Sequence, residues 1–229
     1  MASAELRSED PTEHPTALDS HADTCVVGKH ALIVHLLDKK VNVTGFDPTQ
    51  GKVKDLDLVS AALAYDCPTT GEVTILMVHQ AVHVPTMEND LLCPMQMRMS
   101  DIELRECPKF MEEQPNDRSH TLRAVQDGDE LNISLGLRGV TSYFTTRTPP
   151  KAELATCRRF DLTSEEPEWD PQSGIFQEQE ESTVDARGLV HDTGDGGNRR
   201  YISSIRVSCD QANDFDNHNS QCSAIYSET

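Results

Sequence analysis

The side chains of this chain whose types and spacing could do chemistry gather in residues 17–28, Ala-Leu-Asp-Ser-His-Ala-Asp-Thr-Cys-Val-Val-Gly. Asp19 and Ser20 stand between an apolar lead-in and the apolar run Cys25-Val26-Val27, which presents a carboxylate and a hydroxyl on a turn between two strands. A carboxylate held there can take a proton from water or give one to a substrate. The same residues can also form an Asx turn that only closes its own backbone. A second aspartate turn, Asp192-Thr193-Gly194, is followed by Asp-Gly-Gly-Asn-Arg-Arg and has no apolar strand behind it, so it reads as a flexible loop. His21, Cys25, His30 and His35 are donors that suit zinc, and His79 and His83 would share a strand face. No paired CxxC and no helical HxxxH supports a metal, and none is expected. Ser20 or Cys25 as a nucleophile with His21 is weaker still, because strand neighbours point to opposite faces.

The elements that would hold such a turn are mostly strands. Ala17 and Leu18 start one, 24–28 another, and 31–37 and 41–46 continue with a turn at Lys39-Lys40. Asp47-Pro-Thr-Gln-Gly51 is a turn signal, so the strands on either side of it form a hairpin. Residues 56–65 and 72–84 are joined by a second hairpin turn, Asp66-Cys-Pro-Thr-Thr-Gly71, and Pro85 ends the pair. Leu91-Leu92-Cys93 follows, then a short helical turn at 95–99, a strand at 102–104, and a hairpin of 122–125 with 131–137 around Asp127-Gly128. From about Thr145 prolines punctuate the chain, 177–181 is acidic and glutamine-rich, and 210–229 is polar.

The turn resembles the D-[ST]-G-A signature of retropepsins, in the Asp-Ser-Gly-Ala form of Copia-type retrotransposon proteases, with His21 where that family usually has Gly. The His-containing form Leu-Asp-Ser-His-Ala-Asp-Thr-Cys is similar to the protease segment of Copia-like elements of microalgal genomes. Residues 78–97, Val-His-Gln-Ala-Val-His-Val-Pro-Thr-Met-Glu-Asn-Asp-Leu-Leu-Cys-Pro-Met-Gln-Met, resemble the Copia-type stretch V-x-x-V-P-x-x-x-x-N-L-L-S-V-x-Q-L. The likeness covers about 17–98, and 139–150 and 162–171 are similar to the segment that follows the protease in those polyproteins.

This resemblance implies a mainly-β, retropepsin-like closed barrel or sheet of six or more short strands with one short helix. It implies a homodimeric aspartic endopeptidase that processes a polyprotein. Asp19 would be catalytic, with Ser20 orienting it across the twofold axis and His21 and Ala22 completing the turn. Gln50 and Gly51 would be the tip of the substrate-binding flap, and Leu91, Leu92 and Cys93 the strand beside the catalytic turn. In such a site two carboxylates share one proton because like charges that close cannot both ionise. One takes a proton from the attacking water and the other donates to the peptide carbonyl. One chain supplies one such aspartate, so a second copy must bring the other. A protonated His21 would favour the doubly ionised, unproductive pair. The alternative implied is a catalytically inactive dimer of the same fold that serves binding or assembly.

At 229 residues with 36% hydrophobic content, the chain has room for one domain with extensions. The expected division is a flexible arm over 1–15, the domain over 16–140, and a largely loop-like or disordered extension over 141–229. A formal net charge of -19 argues against nucleic acid or an anionic membrane as partner. The partners expected are a second copy and a peptide or polyprotein substrate, with no cofactor. The polar N-terminus is no signal peptide, and seven cysteines without CxxC pairs suit a reducing compartment. The expected location is the cytoplasm, or a virus-like particle within the cell.

Overall fold

The computed structural model describes residues 13–44 and 52–190, together with the backbone of 221–223. In chain order the strands are β1 (His14–Leu18), β2 (Val26–Val27), β3 (Leu32–Thr44), β4 (Lys52–Asp66), β5 (Val73–His83) and β6 (Asp90–Leu92). The short helix α1 (Pro94–Arg98) follows, then β7 (Glu103–Arg105), β8 (Thr121–Gln126), β9 (Asp129–Ser134), β10 (Gly136–Arg138) and β11 (Thr141–Thr146). After these come α2 (Lys151–Thr156), β12 (Arg158–Asp161), α3 (Ile175–Thr183) and β13 (Gln221–Ser223).

Two long apolar runs make the centre. β4 and β5 pair antiparallel, with Leu63 opposite Leu76 and Ala61 opposite Val78. Alternate side chains point to opposite faces, and both faces of this pair are covered. Ala61, Leu63, Leu76 and Val78 enter the main core, whereas Ala62, Ala64, Ile75 and Met77 enter a smaller one closed by Leu154 of α2 and by Cys157. That two-sided burial is why these segments read as continuous apolar stretches rather than alternating ones. Gly71, at φ +71°, turns the chain between them. Asp127 and Gly128, both at positive φ, make the tight turn that joins β8 to β9.

The main sheet runs in the order β10-β11-β1-β6-β2-β5-β4-β3-β13, with β12 added to β5. A separate sheet, β7-β8-β9, sends Leu104, Leu122, Ala124, Leu131 and Ile133 into the same main core. The protein is therefore mainly β. Among the described residues the strand order gives no closed barrel where one was expected; a single bridge, in which Ala64 of β4 and Arg147 just after β11 exchange two backbone hydrogen bonds of 2.9 and 3.0 Å, is the link between those two parts of the sheet.

Other expectations are corrected too. Three helices are present among the described residues where one was expected. The arm expected over 1–15 gives way at its end to β1, which starts at His14 because that side chain is buried and bonded. Residues 1–12 lie outside the described part. The boundary at 140 divides a hairpin, since β10 pairs with β11. β11 in turn pairs with β1 from His14 to Ala17, and β12 lies parallel to β5. The segment after 140 thus contributes three strands of the main sheet, β11, β12 and β13, and the described part of the expected extension is not largely loop. Lys39 and Lys40 do not turn the chain. They sit within β3 at a register shift, and Lys40 Nζ reaches Asp57 at 2.6 Å across the hairpin. No helix among the described residues is long and apolar enough to cross a membrane.

Candidate active site

β1 delivers the chain to Asp19 and β2 carries it away, and β6 is inserted between them. β6 lies parallel to β1, with Ala17 beside Leu91 and Leu18 beside Leu92, and antiparallel to β2, with Val26 beside Leu91. The backbone N–H of Asp19 donates to the Leu92 carbonyl at 3.0 Å, and the N–H of Ala22 donates to the Asp19 carbonyl at 3.2 Å. The N–H of His21 donates to Asp19 Oδ1 at 2.9 Å, so the Asx turn is formed. The structure thus brings Asp19, Leu91 and Leu92 together on one small crossing of strands.

The side chains divide between surface and core. Asp19 is 20% exposed and His21 77% exposed, with Nδ1 of the imidazole 4.0 Å from Asp19 Oδ1. Ser20 is exposed and Ala22 is buried. Positive φ among the described non-glycine residues is confined to Asp55, Gln80, Asp101, His120 and Asp127. His21 therefore holds its turn position without the left-handed backbone that glycine would ease. Of the segment expected to form a flap, the strands β3 and β4 are described, whereas Gln50 and Gly51 lie outside the described residues, as does Asp192-Thr193-Gly194.

Behind the turn the core is unusually polar. Asp90, fully buried, accepts from the Gly28 N–H at 2.7 Å through Oδ1, while its Oδ2 lies 2.8 Å from His14 Nε2. Gln96 of α1 accepts from the Cys25 N–H at 2.8 Å. Cys25 Sγ accepts from the Cys93 N–H at 3.1 Å, and Cys93 caps α1 by accepting from the Gln96 N–H. Gln96 falls on the Gln of the Copia-type stretch and Asp90 on its Asn, but the sequence assigns a role to neither; nothing in Asn-Asp-Leu-Leu announces that its aspartate faces inward.

These groups limit the chemistry available. Burial, with Cys93 adding to it, pushes the Cys25 thiol well above its ordinary range, and burial pushes Cys93 up to about 11. Neither is a thiolate at neutral pH, so neither is a nucleophile there. A Ser-His-Asp chain does occur: His79 Nδ1 lies 3.0 Å from Ser60 Oγ, and its Nε2 3.4 Å from Asp161 Oδ1. Ser60, however, is sealed in the core at 2% exposure, beyond the reach of a substrate. Among the described residues no group of three or more His, Cys, Asp or Glu side chains is placed to hold a metal ion. At the turn itself the Asp19 carboxylate is partly exposed, with the Ser20 hydroxyl and the His21 imidazole beside it. Comparison with protein-family models, with curated proteins and with solved structures found no match to this chain.

Proposed function

We propose that the chain is one half of a retropepsin-like aspartic endopeptidase of the Copia retrotransposon type, which cleaves peptide bonds of a polyprotein as a homodimer. The observation that carries this reading is β6 seated between the two strands that flank the turn, with the Asp19 N–H fastened to Leu92. That crossing holds the Asp19 backbone against the core while its side chain stays at the surface. A twin turn from a second copy, related by a twofold axis, could then meet it. Facing carboxylates would share a proton, and the water between them would be activated by one and the peptide carbonyl polarised by the other. Exposed Ser20 is available to hydrogen-bond across the axis. The β3–β4 hairpin on the same domain supplies the arm of a flap over the substrate.

His21 favours a second reading, a catalytically inactive dimer used for binding or assembly. Its ring stands beside the carboxylate where the family has no side chain at all. One substitution separates the two readings. Asp19→Asn should lower cleavage of a polyprotein-like peptide by at least about a thousandfold while the sedimenting mass stays that of a dimer. Equal cleavage by wild type and variant would end the endopeptidase reading, and a monomeric wild type would end both.

A further inference from the structure

The segment that follows β12 returns to the outer side of the candidate turn. Leu162 and Thr163 are fully buried against β5, where the Thr163 hydroxyl and the His79 backbone exchange two hydrogen bonds of 2.8 and 2.7 Å. The side chain of Gln80, also on β5, then grips the next residues. Its Nε2 donates to the carbonyls of Ser164, Glu165 and Pro167 at 3.0, 3.1 and 2.9 Å, and its Oε1 accepts from the Trp169 N–H at 2.6 Å. Gln80 holds this pose with φ at +53°, a conformation that costs a non-glycine residue energy. The gripped strap ends in Trp169, whose indole N–H donates to the Asp23 carbonyl at 3.0 Å and lies 3.3 Å from Thr24 Oγ1. The indole packs on Phe176 of α3, with ring centroids 5.6 Å apart. Glu168 of the same strap accepts from Lys39 of β3.

We propose that Trp169 is a positioning residue for the turn that carries Asp19, and that Gln80 positions Trp169. The inference rests on the endopeptidase reading for its catalytic part and on geometry alone for its structural part. The turn is pinned from inside by Leu92 and Gln96, through the N–H groups of Asp19 and Cys25. Residues 23 and 24 lie between those pins. Trp169 reaches both of them, through the Asp23 carbonyl and Thr24 Oγ1, and a reacting carboxylate misplaced by a fraction of an ångström loses rate without losing substrate affinity. Lys39–Glu168 joins the strap to the hairpin as well, but both partners are exposed, and such a pair adds little.

The test compares the full-length wild type with Trp169→Phe, which keeps a ring on Phe176 but has no N–H, and with Gln80→Glu, which turns the donor facing three carbonyls into an acceptor. Amide exchange of residues 23–25 should quicken about tenfold in both variants, with β8 and β9 unchanged. The kcat for a polyprotein-like peptide should fall about tenfold with KM within about twofold. Wild-type exchange at 23–25 in both variants overturns the proposal, as does an unchanged kcat. If the wild type does not cleave at all, the endopeptidase reading falls, and the exchange comparison alone decides whether the strap holds the turn. Should Gln80→Glu fail to fold, Trp169→Phe decides by the same measurements.

Discussion

Asp90 offers the sharpest test of how the turn is held. Its carboxylate is fully buried and serves two strands at once: Gly28 beyond β2 through one oxygen, and His14 of β1 through the other. Replacement by Ala strands the Gly28 N–H in a dry site, at a cost of about 1–3 kcal/mol. His14 Nε2 loses less, because Thr146 Oγ1 remains 3.1 Å away. Adding about 1 kcal/mol for this weaker loss and about 1 kcal/mol for the emptied space gives an expected destabilisation of about 3–5 kcal/mol. Asp90→Asn keeps one oxygen and most of the volume and should cost about 1–2 kcal/mol. Urea unfolding followed by circular dichroism measures both, read as a shift in midpoint at constant slope. If Asp90→Ala lies within about 1 kcal/mol of wild type, or if Asn is worse than Ala, the carboxylate is not the fastening described here.

Gly28 should resist any side chain, since a Cβ there would lie 2.5 Å from the Met87 carbonyl oxygen and 3.0 Å from that of Asn89. Gly28→Ala is expected to cost about 1–3 kcal/mol in the same unfolding assay. Alkylation of the native protein near pH 8, read by peptide mass, should label Cys67 early. Hydrogen bonds from Thr70 lower the pKa of its thiol, whereas burial raises those of Cys25 and Cys93, which should stay unlabelled until unfolding. Burial first, then Lys109, lowers the pKa of His120, while Glu106 and Glu112 oppose the shift. The unfolded state therefore takes up the proton more readily, and stability present above the ordinary value of 6.5 is lost as the pH falls through and below it. His120→Asn, which tolerates the positive φ of that position, should flatten the dependence of stability on pH below 6.5, leaving whatever His83, shifted the same way, contributes.

Strand content was legible because it depends on local pattern. The runs at 56–65 and 72–84 and the turns at Gly71 and Asp127-Gly128 correspond to β4, β5 and their connections. What local pattern could not convey was pairing between distant segments. β11 becomes a strand of the main sheet by lying on β1, and β12 by lying on β5, more than eighty residues away in the chain. The closed barrel is absent among the described residues for a related reason, since closure needs a full ladder between distant strands and no residue type signals one; Ala64 and Arg147 form only a single bridge. His14 looked like part of a polar arm because its partner, Asp90, is far along the chain. Asp19 could be singled out by its apolar flanks. Gln80 and Trp169 could not, because a glutamine amide or an indole N–H becomes informative only once its backbone partners are placed around it, and Gln96, though inside the Copia-type stretch, showed no role until the Cys25 N–H stood beside it.

The polar residues behind the turn follow from its topology. Where β6 runs parallel to one neighbour and antiparallel to the other, the ladders cannot serve every backbone group, and unserved N–H groups in a core are costly. Three of them occur at this crossing, on Cys25, Gly28 and Cys93, and each meets a side-chain acceptor: Gln96, Asp90 and Cys25 in turn. The buried carboxylate, amide and thiol are therefore occupied by the fold and are not spare reagents. Asp19 differs from Asp90 in this respect. Its backbone N–H is already served by Leu92, and one carboxylate oxygen closes the local turn, while its side chain reaches the surface. Asp90 is committed to holding the crossing together, whereas Asp19 keeps one carboxylate oxygen out of the turn and its side chain partly exposed.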